Sequence, residues 1–201
     1  MAGKILVSTA YLPPVAYFGL ISDADEALIE REENYIKQTY RNRCYILTSN
    51  GPQILSVPVF LGSFHKTAIK DIRIDYSKRW QQIHLGAMKA AYNSSPFFEF
   101  YFDRIEHIIS EGHEFLIDLN MELISVINNM LQINTRVSFT TRFEPVSSEV
   151  NDYRYSISPK RSDQREYRAY RQVFQFGKGF VPGLSITDLI FNMGPESYQY
   201  L

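Results

Sequence analysis

The sequence predicts a mixed α/β domain, a three-layer-like mixed sheet with packed helices, with α+β as the alternative. Three observations carry that expectation. Short β-rich runs are interleaved with helical stretches early in the chain, and helices cluster later. Asn50-Gly51 between two apolar runs is a strong hairpin signal, because both residues tolerate positive φ. No repeat, linker or second core divides the 201 residues, so a single domain over 1–201 is expected.

The elements follow in order. Lys4 to Thr9 is short, β-rich and quickly terminated, which predicts a buried strand. Pro13-Pro14 opens a turn or helix start, with Val15 to Phe18 and Leu20-Ile21 behind it. Ala27-Leu28-Ile29 reads as a second strand. Cys44 to Thr48 and Ile54 to Val57 form the hairpin, and Pro52 and Pro58 place its second strand at an edge. Ile72 to Tyr76 alternates at period two and predicts another strand.

Ser77 then caps a helix whose apolar face is Trp80, Ile83, His84, Ala87, Met88 and Ala91. Ser95-Pro96 starts the next helix, which Gly112 stops. A third carries Leu116, Leu119, Leu123, Val126, Ile127 and Met130. Val137 to Phe143 alternates as a strand, and Leu184 to Phe191 forms a last helix ended by Gly194-Pro195.

Composition narrows the functional classes. The hydrophobic fraction is 45% and the charged fraction 21%, as in a folded globular protein. The formal charge of −1 gives no general pull towards nucleic acid or an anionic membrane, and neither partner is expected. Cys44 stands alone, which excludes an internal disulfide and a cysteine-rich metal site. The first apolar run is cut off by Pro13-Pro14 and lacks the length of a signal peptide. A cytoplasmic location is expected.

No glycine-rich phosphate loop of the Walker or Rossmann type, HExxH or GxSxG motif is present. The candidates are single residues in context. His84 sits on an apolar helix stripe, where a histidine is either a general base tuned by burial or a core residue bonded to a carbonyl. Cys44, in a strand, reads as buried and inert rather than nucleophilic. Ser185, Asp188 and Asn192 share one helical face, as a pocket wall or as a cap with polar neighbours. Glu30, Glu32 and Glu33, with Asn42 and Arg43, stand after a strand, where α/β folds bind ligands or expose a solvated charge run. From Arg154 to Arg171, six basic residues face two acidic ones and interleave with Tyr153, Tyr155, Tyr167 and Tyr170. That segment fits a diphosphate or is a solvated loop.

Several motifs together resemble a known family. They are Tyr11-Leu12-Pro13-Pro14-Val15-Ala16-Tyr17-Phe18, Asn42-Arg43 with Ser56-Val57-Pro58-Val59, Trp80 with His84, Ala91-Tyr92, Ser95-Pro96-Phe97-Phe98, and Leu184 to Pro195. Their order and spacing are similar to the WbqC-like family. The resemblance implies a cytoplasmic step on a nucleotide-activated amino sugar in surface-polysaccharide or O-antigen biosynthesis, with acyl or aminoacyl transfer as the expected reaction. It places Tyr11, Asn42, Arg43, His84, Tyr92, Ser185, Asp188 and Asn192 on motif positions. The chain departs from the family where Tyr153 to Arg171 replaces a tyrosine-leucine-serine-glycine block, and where Glu30 aligns with an aspartate.

Two functions are carried forward. In the transferase, His84 takes a proton from the sugar amine, Asp188 orients His84 or the amine, and Arg43, Arg165 and Arg168 hold the diphosphate. Tyr11, Asn42, Tyr92, Ser185 and Asn192 complete the substrate site. An activated acyl donor or carrier protein comes from outside, no cofactor is identified, and no metal site is expected. In the alternative, the chain is a non-catalytic binding or assembly module that holds a biosynthetic partner through aromatic surface.

Overall fold

The computed structural model describes residues 3–60, 66–145, 150–160, 167–175 and 179–201. Four strands form one parallel sheet in the order β5-β2-β1-β6: β1 (Lys4–Ser8), β2 (Glu26–Glu30), β5 (Arg136–Phe139) and β6 (Asn151–Asp152). A separate antiparallel hairpin pairs β3 (Arg43–Thr48) with β4 (Gly51–Ser56). Five helices complete the mixed α/β domain: α1 (Val15–Ser22), α2 (Trp80–Tyr92), α3 (Phe98–Ser110), α4 (Leu116–Leu131) and α5 (Ile186–Met193).

Alternation along the parallel strands makes two unlike faces. In register, Ile5 faces Ala27 and Val7 faces Ile29, and all four lie in the hydrophobic core. Leu6 and Leu28 point the other way and line a hollow of about 310 Å³ with Glu30, Thr140 and Asp152. The core itself is built by helices: Phe18 of α1, Met88 of α2, Phe102 of α3, Leu123 of α4 and Phe191 of α5 are all fully buried.

The hairpin turns at Gly51, whose φ of +110° explains a glycine there. Its second strand pairs only with β3 among the described residues, so Pro52 lies on an edge as its missing donor requires. Ser185 caps α5 by accepting from the Thr187 amide at 3.3 Å. Gly194 ends that helix at φ +54°, where an added Cβ would meet Phe97 at 2.4 Å.

Four sequence expectations need correction. Ile72 to Tyr76 is extended but makes isolated bridges, Val59 to Ile74 and Arg73 to Phe115, because its neighbours on each side are single residues rather than strands. Ser77 does not cap α2, which begins at Trp80 after Arg79; the Ser77 amide is instead held by Asp75 in a turn. The third-quarter helix starts at Phe98, with no side-chain cap, two residues beyond Pro96. The strand expected through Phe143 ends at Phe139, where β2, its only partner in the sheet, also ends. No helix of the described residues is long and apolar enough to cross a membrane.

Candidate functional site

The switch point of a parallel sheet, at the carboxyl ends of its strands, is the usual place for a ligand. Here β1 has β2 on one side and β6 on the other, so the switch lies beside Ser8. That end is filled by the protein's own charges. Arg41 binds both oxygens of Glu33, at 3.0 and 2.7 Å, and reaches the Ser8 hydroxyl. Arg154 clasps Asp152 and donates to buried Glu30, whose other oxygen accepts from Thr140. The remaining gap is about 20 Å³, room for about one water. Arg154 is therefore a buried structural ion pair, not part of a solvated basic loop. In the larger hollow, Lys4 pairs with Glu26 and Arg142 with Glu144. Its charged walls are satisfied.

The motif residues gather elsewhere, in two clusters. The first lies at the corner where β4 runs out past Ser56. Tyr11, from the β1–α1 loop, meets His84 with its hydroxyl 2.9 Å from Nδ1. A ring N–H of His84 donates to the Ser56 backbone. Trp80, one turn before His84, stands edge-on to it with ring centres 5.1 Å apart. Asn42 donates to the Val57 carbonyl at 2.8 Å, and Arg43 is the register partner of Ser56. Burial lowers the His84 pKa to about 4, so the imidazole is neutral at pH 7. With Nδ1 against the Tyr11 hydroxyl, the neutral ring accepts there and donates to Ser56.

This corner has unmet hydrogen-bonding capacity. Asn42 Oδ1, Arg43 Nε and Trp80 Nε1 are buried and have no hydrogen-bond partner among the described residues. Among the described residues no carboxylate lies within ion-pair distance of the half-buried Arg43. Buried polar atoms are normally satisfied, so three unmet ones around a single corner are unusual.

The second cluster surrounds Asp188 in the first turn of α5, a carboxylate with no exposure. Tyr170 donates to Oδ2 at 2.7 Å and Gln172 at 2.9 Å, while the Tyr92 hydroxyl faces the same carboxyl and accepts from the Leu47 amide. Burial raises the Asp188 pKa, and these three donors oppose the rise. Gln172 also exchanges two bonds with the Val181 backbone, which mimics a strand pair. Asn192 donates to the Asp188 carbonyl and Ser185 to the Leu12 carbonyl. The cluster straps the chain near residue 170 onto α5.

The structure thus joins Tyr11 to His84, with Asn42 and Arg43 on the neighbouring backbone at Val57 and Ser56, and it places Tyr92, Ser185, Asp188 and Asn192 together. Among the described residues no hydrogen bond joins His84 to Asp188: the His84 ring is bonded to Tyr11 and Ser56, and Asp188 Oδ2 to Tyr170 and Gln172. Arg168 stands apart: it donates to the Gln199 carbonyl, stacks over Tyr200 and lines a third hollow of about 340 Å³. Arg165 lies outside the described residues. Cys44 is fully buried and its thiol is pushed far up by burial, as an inert residue should be.

Sequence reasoning missed Tyr170 and Gln172 as partners of Asp188, and Trp80 as an unpartnered donor. Trp80 was legible as core but nothing in its spacing showed where its N–H would point. It also missed Glu111, His113 and Glu122, whose ligand atoms lie within 4.8 Å of one another.

Comparison with known proteins agrees with the motif order. A family model described as the WbqC-like protein family matches residues 9–167. The chain is 32% identical over 223 residues to the uncharacterized protein Rv1507c of Mycobacterium tuberculosis, with 98% of this chain and 96% of that protein covered. No solved structure matches. The matched span includes the whole His84 corner, and on both findings this chain belongs to the WbqC-like protein family.

Proposed function

We propose that the chain acts in surface-polysaccharide biosynthesis, in the cytoplasm, on a nucleotide-activated amino sugar held at the His84 corner. The observation that carries the reading is the set of unmet groups there: Asn42 Oδ1, Arg43 Nε and Trp80 Nε1, all on or beside motif positions. A guanidinium without a carboxylate is a receptor for phosphate oxygens, and a free amide oxygen with a free indole N–H suits sugar hydroxyls.

The reaction is acyl or aminoacyl transfer to the sugar amine. The amine nitrogen forms a bond to the acyl carbon, the bond from that carbon to the donor's leaving atom breaks, and the amine proton ends on that leaving atom. The donor is an activated acyl group, free or on a carrier protein. His84 is a positioning residue in this scheme. Its neutral ring, with a depressed pKa and two bonds already made, holds Tyr11 against Ser56 and keeps the corner in shape.

A specific observation favours a second reading. His84 is buried with both ring nitrogens bonded and Asp188 is buried with Oδ2 bonded twice, which is what a non-catalytic binding or assembly module would show. Thermal unfolding against a panel of nucleotide sugars tests the binding claim. Ligand at about 100 times its dissociation constant should stabilise by about 2.7 kcal/mol. A shift for wild type that is lost in Arg43→Ala supports the site; no shift with any amino-sugar nucleotide overturns it. Binding without acyl transfer, assayed with thioester donors, selects the module over the transferase.

A further inference from the structure

Outside that corner, four metal-competent side chains gather where α3 turns into α4. His107 and Glu111 are one helical turn apart, with Nε2 3.1 Å from Oε1. Gly112, at φ +85°, ends the turn. His113 follows, and its Nε2 lies 3.8 Å from Glu111 Oε2 and 2.6 Å from Glu122 Oε2 in the second turn of α4.

Charge sets this cluster apart from its neighbours. Glu106 is paired with Lys89 and Glu114 with Arg73. Glu111 and Glu122 have only imidazoles beside them among the described residues. Two imidazoles and two carboxylates are also a donor set for a borderline divalent ion, where hard ions such as magnesium prefer oxygen alone.

We infer that His107, Glu111, His113 and Glu122 form a binding site for a divalent transition-metal ion of the zinc class, which clasps the α3–α4 turn. Tetrahedral ligands at about 2.0–2.2 Å from zinc stand roughly 3.3 Å apart. His113 and Glu122 must therefore separate by less than 1 Å from their present 2.6 Å. The half-exposed Glu122 side chain has the freedom to do so. The metal replaces the hydrogen bond between them, and any proton held there passes to solvent. Ligand atoms of Glu111, His113 and Glu122 already lie within 4.8 Å of one another, and the exposed His107, 3.1 Å from Glu111, turns in as the fourth ligand.

The test uses the full chain without a histidine tag and zinc chloride as probe, in calorimetric titration and thermal unfolding. Wild type should bind one zinc per chain, and saturating zinc should raise its Tm. Glu122→Gln keeps the shape of the side chain, and His107→Ala changes an exposed residue, so neither threatens the fold. Each should weaken binding about tenfold or more, and Glu122→Gln should abolish the Tm shift. Zinc binding to wild type no tighter than to Glu122→Gln overturns the site. So does a Tm shift of equal size with magnesium, which imidazole ligands would not give.

Discussion

The His84 corner and the Asp188 cluster are built from the same kinds of residues and differ in how many polar atoms they leave unmet. Both centre on a buried titratable group with a tyrosine hydroxyl against it. Around Asp188, Tyr170 and Gln172 both donate to Oδ2 and Gln172 turns its remaining groups to Val181, while Oδ1 has no hydrogen-bond partner among the described residues. Around His84, the ring is satisfied but its neighbours Asn42, Arg43 and Trp80 are not. Bonded polar groups fix a fold and unmet ones are where a ligand has something to gain; the His84 corner holds three unmet atoms, Asn42 Oδ1, Arg43 Nε and Trp80 Nε1, against Oδ1 of Asp188.

The largest expected effect lies at Asp188. Asp188→Ala leaves the Tyr170 and Gln172 donors without an acceptor in a closed site, which should cost about 4 kcal/mol at roughly 1–3 kcal/mol per unpaired group. Urea unfolding measures it, and a loss below 1 kcal/mol would break the view of this cluster as a strap. Next comes pH. The His84 pKa is lowered to about 4 in the folded chain, from an ordinary value of 6.5. The unfolded chain therefore binds the extra proton first, and the stability held above pH 6.5 is lost as pH falls towards 4. The loss should reach about 3 kcal/mol. Comparing wild type with His84→Gln across that range isolates it; parallel curves would contradict a neutral, buried ring.

Smaller effects sharpen the contrast. Tyr11→Phe removes one partner of His84 and should cost about 1 kcal/mol, read as a lower urea midpoint at unchanged slope. Arg43→Ala should change stability by less than about 0.5 kcal/mol, because the guanidinium has no protein carboxylate to lose. A large loss of stability there would mean that Arg43 is structural after all.

Much of the fold was legible because its signals are local. Asn50-Gly51 fixed the hairpin, Ser185 its cap, and the spacing from Trp80 to Ala91 its helix, each through chemistry within a few residues. The Ile72 segment misled because alternation reports which side is buried, not whether a neighbouring strand exists to pair with it. The site was half legible. The sequence picks out the residues, but assigning them to one pocket needs to know that Asp188 faces Tyr170 and His84 faces Tyr11, contacts that follow from how α5 and α2 pack. The basic run misled for the same reason: Arg154 finds Glu30, 124 residues away, and ceases to be available for a phosphate.

The most direct test is the affinity of an amino-sugar nucleotide, by calorimetry, for wild type, Arg43→Ala and Tyr170→Phe. A guanidinium receptor at the His84 corner predicts that Arg43→Ala weakens binding about tenfold or more while the melting temperature holds, as for loss of a charged hydrogen bond. It predicts that Tyr170→Phe lowers the melting temperature and leaves the dissociation constant unchanged. The reverse pattern, with affinity lost at Tyr170 and kept at Arg43, would place the ligand at the Asp188 cluster and contradict the account.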